Sequence, residues 1–224
     1  MSNIALHIDD QGAGEGPPLV LTHGWADTSA AFAGVQSDLA ADHRVLTWDL
    51  RGHGESEAPP PGNYERDDAL GDLKRVVSDA GTPCVLGGHS LGGYLSLAHA
   101  IRHPDEVAAL VLIAAGPGFR KDEAREQWND SVTASAAKMD LPEGQERISM
   151  HTDSWVIDSL AEITCPVLVI VGERDKRFQA SAAVFEKTLD VRQSVVVPDA
   201  GHAVHRKFPA EVAGSIRHFL GGLR

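Results

Sequence analysis

The sequence predicts an α/β fold with a mostly parallel sheet, and three observations carry that expectation. Short β-branched runs recur along the 224 residues, helix-length amphipathic segments separate them, and most of the runs are apolar throughout rather than at every second position. A strand covered on both faces needs such a continuous pattern, whereas a half-exposed antiparallel strand would alternate. The length suits a single hydrophobic core and is short for two enzyme domains.

In chain order the strand runs are Leu19–Thr22, Val45–Trp48, Cys84–Leu86, Val107–Ala114, Val167–Val171 and Ser194–Val197, with Ile4–Ile8 as the one candidate ahead of them. Apolar residues at helical spacing mark Ala30–Leu39, Arg66–Ser78, Leu91–Arg102, Ala180–Leu189 and Pro209–Leu220. Residues 116–160 break the rhythm, since polar and charged residues dominate and no strand run occurs. Within them Ala124, Trp128, Val132, Ala136 and Met139 recur at three- and four-residue steps, which predicts an amphipathic helix. Such a helix fits either an ordinary surface element on the sheet or a cap inserted over a pocket. Pro59-Pro60-Pro61-Gly62 reads as a loop.

Composition narrows the function classes. Twenty Lys and Arg against 32 Asp and Glu give a formal net charge of −12, spread along the chain. A surface of that sign repels phosphate backbones and anionic headgroups, so nucleic acid and membranes are not expected partners. A small molecule is. The first ten residues lack the basic start and apolar run of a secretory signal, and no apolar stretch approaches the roughly 18 residues of a membrane helix, so a cytoplasmic location is expected. Cys84 and Cys165 each open an apolar run, where a thiol packs as a small hydrophobe; a disulfide between them is not expected.

The chemistry centres on Gly87-Gly88-His89-Ser90-Leu91-Gly92-Gly93, which lies between a strand run and a helical pattern. This is G-x-S-x-G in its meaningful context. On so sharp a turn the serine is strained and exposed, and Gly88 and Gly92 stand where a Cβ would meet neighbouring backbone. The turn also leaves the Leu91 N–H unpaired at a helix start, where it can donate to an oxyanion. A serine hydroxyl is a weak nucleophile and needs a histidine base oriented by an acid. Asp175 and His202 answer that need, each in a turn just past a strand run and in the chain order nucleophile, acid, histidine.

Five segments together resemble the α/β-hydrolase fold superfamily: Pro17–Trp25, Asp49-Leu50-Arg51-Gly52-His53-Gly54-Glu55-Ser56, the turn at Ser90, Gly172–Asp175 and Ala200-Gly201-His202. The resemblance implies a mostly parallel sheet flanked by helices, with a core of residues 1–115 and 161–224 and a small helical cap, 116–160, inserted after the sixth family strand. It implies Ser90 as nucleophile, His202 as base, Asp175 as acid, and the backbone N–H of Trp25 as a second oxyanion donor beside Leu91. No metal or other cofactor is implied.

Several neighbours compete for roles. Glu173 and Asp199 sit beside the proposed acid and histidine, but inside their turns. His205 makes a His-x-x-His pair with His202 that lacks a third ligand, so packing is the simpler expectation. His23 is expected to brace the loop that carries Trp25, and His89 to pack. Trp25, Phe119, Trp128, Met139, Met150 and Trp155 are the candidates for lining a substrate pocket. The expected reaction is hydrolysis of a small or medium ester or lactone through an acyl-enzyme. Carbon–carbon bond hydrolysis, lyase, perhydrolase or acyl-transfer chemistry on the same triad stays open, as does a low-turnover receptor on the same scaffold.

Overall fold

A computed structural model describes residues 3–223. Strands β1 (Ile8–Gln11), β2 (Leu19–Thr22), β3 (Val45–Trp48), β4 (Cys84–His89), β5 (Val107–Ile113), β6 (Val167–Gly172) and β7 (Val191–Val197) form one sheet in the order β1-β3-β2-β4-β5-β6-β7. All neighbours are parallel except β1 with β3. β2 and β3 are buried at every position, as their continuous apolar runs require.

Successive side chains on the inner strands serve two cores. Leu19 and Leu21 point with Val111 and Ile170 to one face, covered by α1 (Ala33–Leu39) and α8 (Pro209–Gly221). Val20, Leu86, Leu110 and Val169 point to the other, covered by α2 (Arg66–Ala80), α3 (Leu91–Arg102) and α6 (Lys176–Thr188). α3 is the central helix and is buried at all but its last two residues.

Between β5 and β6 stand α4 (Asp122–Ala136), a 3₁₀ turn at Gln145–Ser149 and the short α5 (Trp155–Asp158). Only Val132 of α4 is buried. Arg66 holds Asp153 with two 2.8 Å hydrogen bonds, Arg147 meets Glu65 at 2.6 Å, and Gln145 donates to the Gly52 carbonyl. Within the segment, Asn129 and the His151 backbone exchange two bonds of 2.9 Å. Among the described residues no helix is long and apolar enough to cross a membrane.

The edges differ from expectation. The first strand is Ile8–Gln11, not Ile4–Ile8; Ala5 and His7 instead bond to the loop at residues 49–57, while Ile4 is buried without a ladder. Asp9, Asp10 and Gln11 pair on the sheet rim, where polar side chains are free to face solvent. At the other rim β7 starts at Val191, with Arg192 and Gln193 in its alternating pattern. α6 begins at Lys176, four residues ahead of its apolar stretch. Cys84 is buried and Cys165 half-buried, both free, and burial pushes their thiols up to about 12 and about 11.

Arg51 anchors the loop after β3 from inside the protein. Its guanidinium donates to Asp72 at 2.8 Å, to the Asn63 carbonyl at 2.7 Å and to the Asp68 carbonyl at 3.1 Å, with 1% of the side chain exposed. Removing one member of such a pair strands the other without water. Arg51→Ala is expected to lower unfolding free energy by about 3–5 kcal/mol in urea titration; a loss below about 1 kcal/mol would contradict the buried anchor.

Candidate active site

Ser90 sits at the junction of β4 and α3 with φ 51° and ψ −111°, a conformation that non-glycine residues rarely hold. Its N–H donates to the Ile113 carbonyl at 3.0 Å, which ties the turn to β5. Glycine is required on both sides of it. A Cβ on Gly88 or on Gly92 would run into the Thr22 carbonyl oxygen at the end of β2, and at Gly92 also into that of His23 at 2.8 Å.

Asp175 and His202 come from two neighbouring loops at the same end of the sheet. Asp175 follows β6 at the start of α6 and is 9% exposed. His202 follows β7, and its Nδ1–H donates to Asp175 Oδ2 at 2.7 Å, leaving Nε2 free to accept. The ring is held between Phe178, stacked at 4.6 Å, and His89 at 4.5 Å, while His89 Nε2–H donates to the His202 carbonyl at 2.9 Å. Glu173 and Asp199 have other work: Glu173 accepts the Asp199 N–H at 3.0 Å, and Asp199 pairs with Arg174, so they lace the two turns together. No hydrogen bond joins Ser90 to His202 among the described residues, but both line one cavity of about 280 Å³.

That cavity also includes Gly24 and Trp25. Neither Trp25 N–H nor Leu91 N–H donates to any group of the described residues, so two backbone donors flank Ser90 without protein partners. The Trp25 loop is braced from β3. His23 Nδ1–H donates to the Gly24 carbonyl at 2.7 Å and Nε2 accepts the Leu50 N–H at 3.0 Å, a neutral tautomer that burial, first of all, enforces by lowering its pKa to about 3. His53 Nε2 accepts the Ala26 N–H at 3.3 Å, and Asp49 accepts the Ser29 N–H at 2.6 Å and the Glu55 N–H at 2.9 Å. This explains the Asp49–Ser56 motif as a scaffold for the loop opposite Ser90.

A second cavity of about 270 Å³ also reaches Ser90 and is walled mainly by apolar groups. Of the expected lining residues, Phe119, Trp128 and Met150 line it, and Trp25 and Trp128 line the first. Met139 and Trp155 line neither. Met139 lies beyond the end of α4 and is 46% exposed, and Trp155 packs against the core with Arg66 and Arg102 over its ring. Arg177, Phe178 and His151 line the second cavity without having been singled out from the sequence. Arg177 and Phe178 lie in the first turn of α6, close behind Asp175, and that proximity is the one signal that could have found them.

A sequence model of the alpha/beta hydrolase fold family matches residues 17–154. The chain belongs to this family. It is 37% identical over 132 residues to a pimeloyl-acyl-carrier-protein methyl ester esterase of Nitrosospira multiformis, a match covering 57% of this chain and 48% of that protein. The first two curated relatives are thus matched over about half of their length. A putative 2-succinyl-6-hydroxy-2,4-cyclohexadiene-1-carboxylate synthase of Bacillus subtilis is 27% identical, over 95% of this chain and 93% of its own. Among solved structures, a malate-bound thermophilic esterase from Thermogutta terrifontis superposes with a TM-score of 0.80 at 27% identity, covering 98% of this chain and 94% of the other.

In this α/β-hydrolase the base of the site is packed with histidines that burial keeps neutral. His205 packs at a tilt between His89 at 4.2 Å and Phe32 at 4.6 Å, with no partner for either ring nitrogen among the described residues. Burial, then Arg206 and His202, lower its pKa to about 4. In the unfolded chain a histidine titrates near 6.5, so between about pH 6.5 and 4 the unfolded state binds a proton that the native state refuses, and stability falls as pH falls. His205→Phe, which keeps an aromatic ring in the packing and removes the titration, is expected to recover up to about 2–3 kcal/mol at pH 4 relative to its effect at pH 7. Thermal unfolding of both proteins across this window checks it; parallel pH profiles would contradict the assignment.

Proposed function

We propose that this protein is a serine hydrolase that cleaves a small or medium ester or lactone through an acyl-enzyme. The single observation that carries the reading is that His202, held by Asp175 at 2.7 Å, lines the same cavity as the strained Ser90. Ser90 Oγ attacks the ester carbonyl as His202 Nε2 takes its proton, and Asp175 keeps the imidazole in the required tautomer. The N–H groups of Trp25 and Leu91 bind the developing oxyanion; one such donor is worth roughly 3–4 kcal/mol of barrier. The carbon–oxygen bond to the alcohol breaks as His202 returns the proton to the leaving oxygen. Water then attacks the acyl-Ser90, losing its proton to His202, and the free acid departs with Ser90 restored.

Esterase names among the relatives support the ester class, and the walls of the second cavity support an apolar acyl part. In this reading residues 116–160 act as a small cap, supported by Trp128, Ser149 and Met150 of that segment, which line cavities that Ser90 also lines. A small-molecule substrate and a cytoplasmic setting go with it.

Ser90→Ala is expected to abolish turnover of p-nitrophenyl acetate and covalent labelling by a fluorophosphonate probe, with the thermal midpoint within a few degrees of the parent protein. Undiminished labelling of that variant would sink the assignment.

A further inference from the structure

We propose that Arg177 binds a carboxylate on the acyl part of the substrate, so that the preferred ester is the half-ester of a dicarboxylic acid. The inference rests on the acyl-enzyme reading above and adds the chemical class of the acyl group.

Every other arginine among the described residues has an Asp or Glu oxygen within 4.0 Å. Arg177 has none, in a chain where acids outnumber Lys and Arg by 32 to 20. Its guanidinium lies over the Trp128 ring, 5.4 Å from the centroid. Stacking of that kind holds the guanidinium plane and leaves the N–H edge open for an oxyanion in bidentate geometry. No acidic side chain lines either cavity, so a bound anion meets no carboxylate there. Lys176, its neighbour, is occupied with the Glu173 carbonyl at 2.9 Å. His151 is the other titratable side chain of the second cavity apart from Tyr94, and burial and Arg66 lower its pKa to about 4, so Arg177 is the cationic group there at neutral pH.

Position then selects the acyl side. Arg177, Trp128, Ser149 and Ser90 line both cavities and so mark the rim between them. The alcohol oxygen must take its proton from His202, which lines the first cavity and not the second. The acyl group, fixed to Ser90, is thereby directed to the apolar second cavity. A short methylene chain lies against its walls while the carboxylate reaches the exposed guanidinium at the rim and stays partly hydrated. A charged partner this exposed contributes modestly, so the effect sought is several-fold rather than thousands-fold.

The test compares monoethyl glutarate with ethyl isoheptanoate, in which an isopropyl group replaces the carboxylate, each followed by acid release. The readout is the ratio of kcat/KM for the charged over the neutral ester within each protein, which divides out any general loss. Arg177→Gln is expected to lower that ratio by about 5-fold or more, Arg177→Lys by less, and added salt is expected to narrow the parent protein's ratio. A second readout needs no turnover: monoethyl glutarate is expected to slow fluorophosphonate labelling of Ser90 at lower concentration in the parent protein than in Arg177→Gln. An unchanged ratio and unchanged protection in Arg177→Gln would overturn the inference while leaving the serine hydrolase reading standing. Absence of both labelling and hydrolysis in the parent protein would overturn that reading and this one with it.

Discussion

The close approach of two backbones organises this site. At Gly88 and Gly92 the turn around Ser90 lies directly against the Thr22 carbonyl at the end of β2, closer than any side-chain-bearing residue allows. That contact brings Ser90 beside the loop that follows β2, and so beside the Trp25 N–H. The loop is held from behind in the same way, because a Cβ on Gly24 would stand 2.7 Å from His89 Nδ1. Close-packed interiors transmit a misfit of this size to their neighbours. A methyl group at any of the three glycines would therefore push apart Ser90, the loop carrying Trp25 and the His89 ring that packs under His202.

The parallel sheet supplies the rest of the geometry. Strands that run the same way end on the same side, so the loops after β2, β4, β6 and β7 meet at one edge. β5 lies between β4 and β6 and contributes position rather than chemistry: Ile113 accepts the Ser90 N–H, and the chain then turns away through Ala114 at φ 45°. No carboxylate stands in residues 114–118, and the structure instead places Asp175, after β6, against His202. Among the described residues, three of the four non-glycine residues with positive φ, Ala26, Ser90 and Asp199, lie in loops that build the site. Strain there is sustained by the packed elements around it rather than by the loops themselves.

What was legible in the sequence follows burial. β2 and β3 matched their apolar runs to the residue because both faces are covered. β1 and β7 are rim strands, whose polar residues hide the pattern, and α6 starts with polar Lys176 and Arg177 that no apolar periodicity marks. The turn around Ser90 and the two later loops stand out in the sequence because a serine-hydrolase reading asks for particular residue types in a particular chain order, and the structure brings Asp175 and His202 within hydrogen-bonding distance. The cavity walls were not, since Met139 and Trp155 share their apolar character with Phe119 and Met150, and only the tertiary fold decides which faces Ser90. Arg177 was invisible for a further reason: a charged residue on an exposed helix turn ordinarily means solvent, and its meaning comes from what stands around it.

The central claim is that acyl groups pass through Ser90, and trapping the intermediate addresses it most directly. Rapid acid quench of the protein with p-nitrophenyl acetate, followed by peptide mass spectrometry, is expected to find one acetyl group per chain on the peptide containing Ser90, formed with a matching burst of p-nitrophenol. Turnover without an adduct at Ser90, or an adduct confined to another residue, would contradict the account.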